Sequence, residues 1–114
     1  MSIITSIVNA IKGFLQLVKG FVKTIVTAVL DFVSQVVDYF RNLKLNPQKD
    51  IPFVANAEQF KEMIHNAPRK NVGIFEGVYN EETEEITEAR YIAADGLDQK
   101  TKTVLGDNEL VVLS

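Results

Sequence analysis

His65 is the first residue to weigh for chemistry, because it is the only histidine in the chain. Imidazole works as a general base when a nucleophile and an orienting acid stand around it. The spacing supplies neither, so His65 reads as a helix-surface residue. Glu81, Glu82, Glu84, Glu85 and Glu88 form the densest run of carboxylates. Such groups hold Ca²⁺ when they alternate with a Gly at the sharp turn, and these do not. They read as a solvated turn, or as a docking surface for a basic partner such as the lysine flank of a neighbouring copy. Asp95, Asp98 and Asp107 fit turn and helix-cap duty. Gly73 and Gly77 fit a strand bulge or close packing, because no strand-to-helix glycine fingerprint follows them. There is no Cys, which removes disulfides, thiolate catalysis and Cys-ligated zinc. The expectation is a non-enzyme, with no catalytic residue, no cofactor, no metal and no small-molecule substrate.

Charge is divided along the chain. Residues 1–45 carry five basic side chains (Lys12, Lys19, Lys23, Arg41, Lys44) against Asp31 and Asp38, a net of +3. Residues 46–114 carry seven basic and thirteen acidic side chains, a net of −6. An acidic second part argues against nucleic acid, whose phosphates require clustered Lys and Arg.

The elements that would position these groups begin with a long apolar pattern over Ile4–Leu45. Read in sevens, the first position holds Ile4, Ile11, Val18, Ile25, Phe32 and Tyr39, and the fifth holds Val8, Leu15, Val22, Val29, Val36 and Leu43. Spacings of four and three repeated this often predict one face of a helix. Apolar flankers move from Ile7, Phe14 and Phe21 early to Val26, Val33 and Phe40 late. That drift compensates the roughly 20° a straight helix loses per heptad. The pattern therefore predicts one nearly straight helix of about 63 Å over residues 4–45. Lys12, Lys19, Lys23 and Arg41 line one flank as contacts for lipid or a partner, and Gly13 and Gly20 sit on the polar side, either as tolerated surface glycines or as hinges or sites of close approach. Lys12 and Lys19 interrupt any secretory signal, and the uncharged runs are shorter than the roughly 18–20 residues a membrane span needs.

Asn46-Pro47 ends the helix, and residues 46–52 form a linker. Residues 53–114 then read as a small acidic α+β head. Phe53-Val54 gives a brief strand. Asn56 and Gln59 suggest a capping box opening a helix to about Asn66. A hairpin comes next, built from Asn71–Tyr79 and Glu85–Ala94. Asp95-Gly96 signals a turn. Asp98 caps a short helix that Gly106 ends, and a last strand covers Glu109–Leu113. The fold class is α+β: a long amphipathic helix of residues 1–45, then helix, hairpin, short helix and strand.

An apolar stripe of that length is not left bare on a monomer. The leading expectation is a structural protein that self-assembles through the helix into a bundle of more than two copies. The alternative is a membrane-active protein whose lysine-flanked helix lies on a bilayer or lines a pore. The expected setting is cytoplasmic, with peripheral membrane attachment as the second.

Overall fold

The computed structural model describes residues 2–113. Ser2 opens the first helix, its hydroxyl accepting the Thr5 amide at 3.2 Å, the expected role of an N-cap serine. Helix α1 spans Ile3–Leu17 and buries Ile7, Val8, Ile11 and Leu15, the predicted spacing of four and three. It stops there. Lys19 and Gly20 take positive φ, 55° and 77°, and the Gly20 amide returns to the Leu15 carbonyl at 2.9 Å. This is the left-handed closure that commonly ends helices. The single helix expected over residues 4–45 is thus corrected to a helix of 15 residues.

The next segment is a strand. β1 (Lys23–Leu30) holds Thr24, Ile25, Val26, Thr27 and Val29, branched side chains that fit a pleated surface better than a helix. Helical geometry returns as a π turn at Val33–Val37 and a short α2 at Asp38–Asn42.

β2 runs Asp50–Asn56, starting within the expected linker. Asn56 caps the next element, its side chain accepting the Glu58 amide at 3.0 Å. That element, Ala57–Met63, is a 3₁₀ helix, not an α-helix reaching Asn66. β3 (Val72–Asn80) and β4 (Glu85–Leu97) form the expected hairpin. β4 continues straight through Asp95-Gly96, where a turn was expected. Asp98 caps α3 (Gln99–Leu105) by accepting the Thr101 amide at 2.9 Å, and Gly106, with φ 51°, ends it. β5 is Leu110–Val112.

The five strands make one sheet in the order β1-β4-β3-β2-β5. β1 pairs parallel with β4, and the remaining pairs are antiparallel. One face packs under α1 and the 3₁₀ helix, around Ile11, Leu15, Phe53, Phe60, Phe75 and Tyr91. The other lies under the π turn, α2 and α3, around Leu30, Phe32, Val36, Ile74, Ile92 and Leu105. The α+β class holds. The arrangement differs because residues 3–42 are spread over both faces and one edge of the sheet.

Candidate interaction surface

The eighteen residues expected on one association face do not share a face. Ile7, Val8, Ile11 and Leu15 are buried in the first core, and Phe32 and Val36 in the second. Phe14, Val18, Val22, Ile25, Tyr39, Phe40 and Leu43 are half-buried. Ile4, Phe21, Val26, Val29 and Val33 stay exposed. The four flanking cations Lys12, Lys19, Lys23 and Arg41 are exposed, and Arg41 pairs with Asp38 at 3.7 Å. His65 is exposed and lies against the Phe21 ring, centroids 4.1 Å apart.

The exposed apolar side chains track β1. Phe21 is 65% exposed, Val26 53%, Val29 55% and Val33 58%. They begin before the strand, run along it and end in the π turn. β1 is an edge strand, hydrogen-bonded to β4 on one side only. Its outer side therefore presents free backbone donors and acceptors, the template on which another strand pairs. Proteins blunt such edges with charge, proline, bulges or short length. β1 has eight residues, no proline, and one charge, Lys23, at its very start. The opposite edge, β5, has three residues. Both edges are apolar in sequence, but β5 is guarded by its short length and β1 is not.

Behind this edge lies a polar cluster that the sequence did not reveal. Glu76 and Arg90 face each other across β3 and β4. The Arg90 Nε donates to Glu76, its Nη2 donates to the Gln35 carbonyl in the π turn, and the Tyr39 ring lies 4.0 Å from the guanidinium carbon. The Tyr39 hydroxyl donates to Glu88 Oε1 at 3.3 Å. Glu76 is fully buried, and its Oε1 has no hydrogen-bond partner. Burial, only partly opposed by Arg90, pushes the Glu76 carboxyl up to about 7. Burial, then the Glu88 and Glu76 charges, raises the Tyr39 phenol. Full burial takes Glu76 out of reach of any substrate. The cluster acts as a tie: Arg90 joins two strands to the π turn and α2, and so fixes the segment after β1. A Glu and an Arg fourteen positions apart carry no local signal. Only the β3–β4 register brings them together.

The carboxylates expected at the hairpin are exposed, and Glu82 pairs with Lys49 at 3.8 Å. Gly73 and Gly77 permit close approach. A Cβ on Gly73 would stand 2.7 Å from the Tyr91 hydroxyl, and one on Gly77 would stand 2.3 Å from the Glu88 carbonyl. Among the described residues, no helix is long and apolar enough to cross a membrane. No protein-family model, curated protein or solved structure matches this chain.

Proposed function

We propose that this chain is a non-enzymatic, self-associating structural protein whose copies join along the free edge of β1. One observation supports the reading above others. An eight-residue edge strand with a single terminal charge is bordered by apolar side chains more than half exposed. The occupant is a second copy, arranged antiparallel. That direction places the two Lys23 side chains at opposite ends, whereas parallel pairing would set like charges side by side. A two-fold contact of this kind is self-complementary and closed. It joins two five-stranded sheets into one and covers both exposed edges at once. The larger bundle expected from a single helix face gives way to a pair, because the pairing consumes the edge.

The test is mass in solution. At high micromolar concentration the particle should weigh twice the 12.8 kDa chain. Val26→Lys with Val29→Lys, which gives β1 the charge other edges carry, should return it to the mass of one chain with unchanged circular dichroism. A wild-type particle at 12.8 kDa under those conditions would remove the proposal.

A second reading is peripheral attachment to an anionic bilayer. It is favoured by the turn after α1, where Leu17 (82% exposed) and Phe21 project beside Lys19 and Lys23. Each lysine near such a surface contributes about 1 kcal/mol, a gain that salt screens. Flotation with anionic vesicles in low salt, reversed by molar salt, would select this reading over edge pairing.

A further inference from the structure

The π turn and α2 lie over the second core without a main-chain tie to the sheet. They bury Val36 and half-bury Val37, Tyr39 and Phe40. Among the described residues, no main-chain hydrogen bond joins residues 33–42 to a strand. Their polar links to the sheet run through side chains. Arg90 donates to the Gln35 carbonyl and lies over the Tyr39 ring, and the Tyr39 hydroxyl donates to Glu88. Single π turns recur at functional sites.

Glu76 stands on the same face of β3 as Ile74, because side chains alternate along a strand. It is fully buried, and its Oε1 has no partner. Each element packed there contributes differently. β4 supplies Arg90, which donates to Glu76, and Glu88, which is exposed. β2 places Val54 opposite Glu76, and α3 adds Leu105 to the same core. Lys23 of β1 pairs in register with Arg90 but is exposed, and Asp38 and Arg41 of α2 pair with each other. Among the described residues, Arg90 is the charge that bears on the Glu76 carboxyl.

From this arrangement we infer that the π turn and α2 form a pH-gated lid, closed over a protonated Glu76 and opened to solvent when Glu76 ionises. In the closed state a neutral Oε1 lacks one hydrogen bond. A carboxylate there would hold charge away from water, which costs far more. Opening relieves that cost without separating the pair, since Glu76 and Arg90 both belong to the sheet. It gives up the Gln35 carbonyl, the Tyr39 ring and Val36. Burial, then the Glu88 and Glu76 charges, raises the Tyr39 phenol, so it stays neutral while Glu76 titrates. The inference does not rest on the association proposed for the β1 edge.

The experiment is amide hydrogen exchange of the full chain by NMR at pH 5 and pH 8, corrected for the intrinsic pH dependence of exchange. Val36, Val37 and Phe40 should exchange through openings that dilute urea leaves unchanged. Ile74 and Ile92 should exchange through urea-sensitive unfolding. With the Glu76 carboxyl raised by burial from 4.5 to about 7 in the closed chain, lid opening should be roughly 50- to 100-fold more frequent at pH 8. The rise should level off where the Glu76 side-chain carboxyl carbon titrates. Glu76→Gln should hold lid opening constant within about twofold, and Glu88→Gln should keep the full rise. Lid amides that share the rate and urea dependence of Ile74 and Ile92 would overturn the inference. So would equal opening at the two pH values, a rise that survives Glu76→Gln, or one that vanishes in Glu88→Gln. If Glu76→Gln does not fold, the wild type decides: a rise continuing more than about one pH unit beyond the Glu76 titration overturns the assignment.

Discussion

Glu76 carries an ionisable proton inside the sheet-helix interface, and the consequence is a pH-dependent stability with a defined sign. Burial raises its carboxyl from 4.5 to about 7. Between those values the folded chain keeps a proton that the unfolded chain has released. Its contribution is therefore full below about pH 4.5 and is lost as the pH rises through about 7. At about 1.4 kcal/mol per unit, the loss is on the order of a few kcal/mol. Urea unfolding at pH 5 and pH 8 should show the wild type less stable at pH 8. Glu76→Gln, which cannot ionise, should flatten most of that difference; identical pH slopes for the two proteins would disprove it. Tyr91 poses a related question without charge. Its hydroxyl is buried without a partner, and such a group costs about 1–3 kcal/mol. Tyr91→Phe should leave unfolding free energy unchanged or raise it by about 1 kcal/mol. A drop of about 2 kcal/mol would mean that the hydroxyl has a partner after all.

At the scale of elements, the decisive point is the break between α1 and β1. Gly20 sits at φ 77°, where a side chain is strained. A Cβ there would also stand 2.5 Å from the Met63 carbonyl oxygen and 2.6 Å from the His65 nitrogen. Its own carbonyl accepts the His65 amide at 2.9 Å. The turn is thus clamped onto the end of the 3₁₀ segment. Gly20→Ala should destabilise by more than the roughly 1–2 kcal/mol of left-handed backbone strain alone, because backbone atoms must also move. Gly13, by contrast, has open space around its would-be Cβ. Gly13→Ala should stabilise α1 by roughly 1 kcal/mol, measured by the same urea midpoint. The two glycines occupy equivalent positions of neighbouring sevens and look alike in sequence. One is replaceable, and the other ends the helix.

For the whole molecule, the sheet unites segments that the charge division sets apart. α1 supplies Ile7, Val8, Ile11 and Leu15 to one core. Leu30, Phe32 and Val36 enter the other. The sequence pattern casts residues 53–114 as a head able to fold alone. That fragment would lose α1 from one face, the π turn and α2 from the other, its β1 neighbour and part of β2. Amide exchange should show it unprotected, whereas the full chain should protect β3 and β4 most strongly. Both strands lie inside the sheet, and unpaired edges open first. Slow exchange in the fragment would restore the view of a self-sufficient head.

Much of the second half was legible because its signals are local. The hairpin strands alternate, Asp98 and Gly106 bracket a short helix, and each depends on neighbours within a few residues. The absence of a catalytic constellation was likewise an expectation from residue types alone. The first half misled for a physical reason. A run of Val, Ile and Thr fits a helix by its spacing of three and four, and a strand by its branching. Over KTIVTAVL the two descriptions compete nearly evenly. The helical spacing favoured one continuous element, but β4 offered a parallel partner from Arg90 to Leu97, and Gly20 could make the turn that reached it. Sequence determined which residues seek burial. Only the tertiary structure decided where they find it, because the partner strand and the Glu76–Arg90 tie both join residues far apart in the chain.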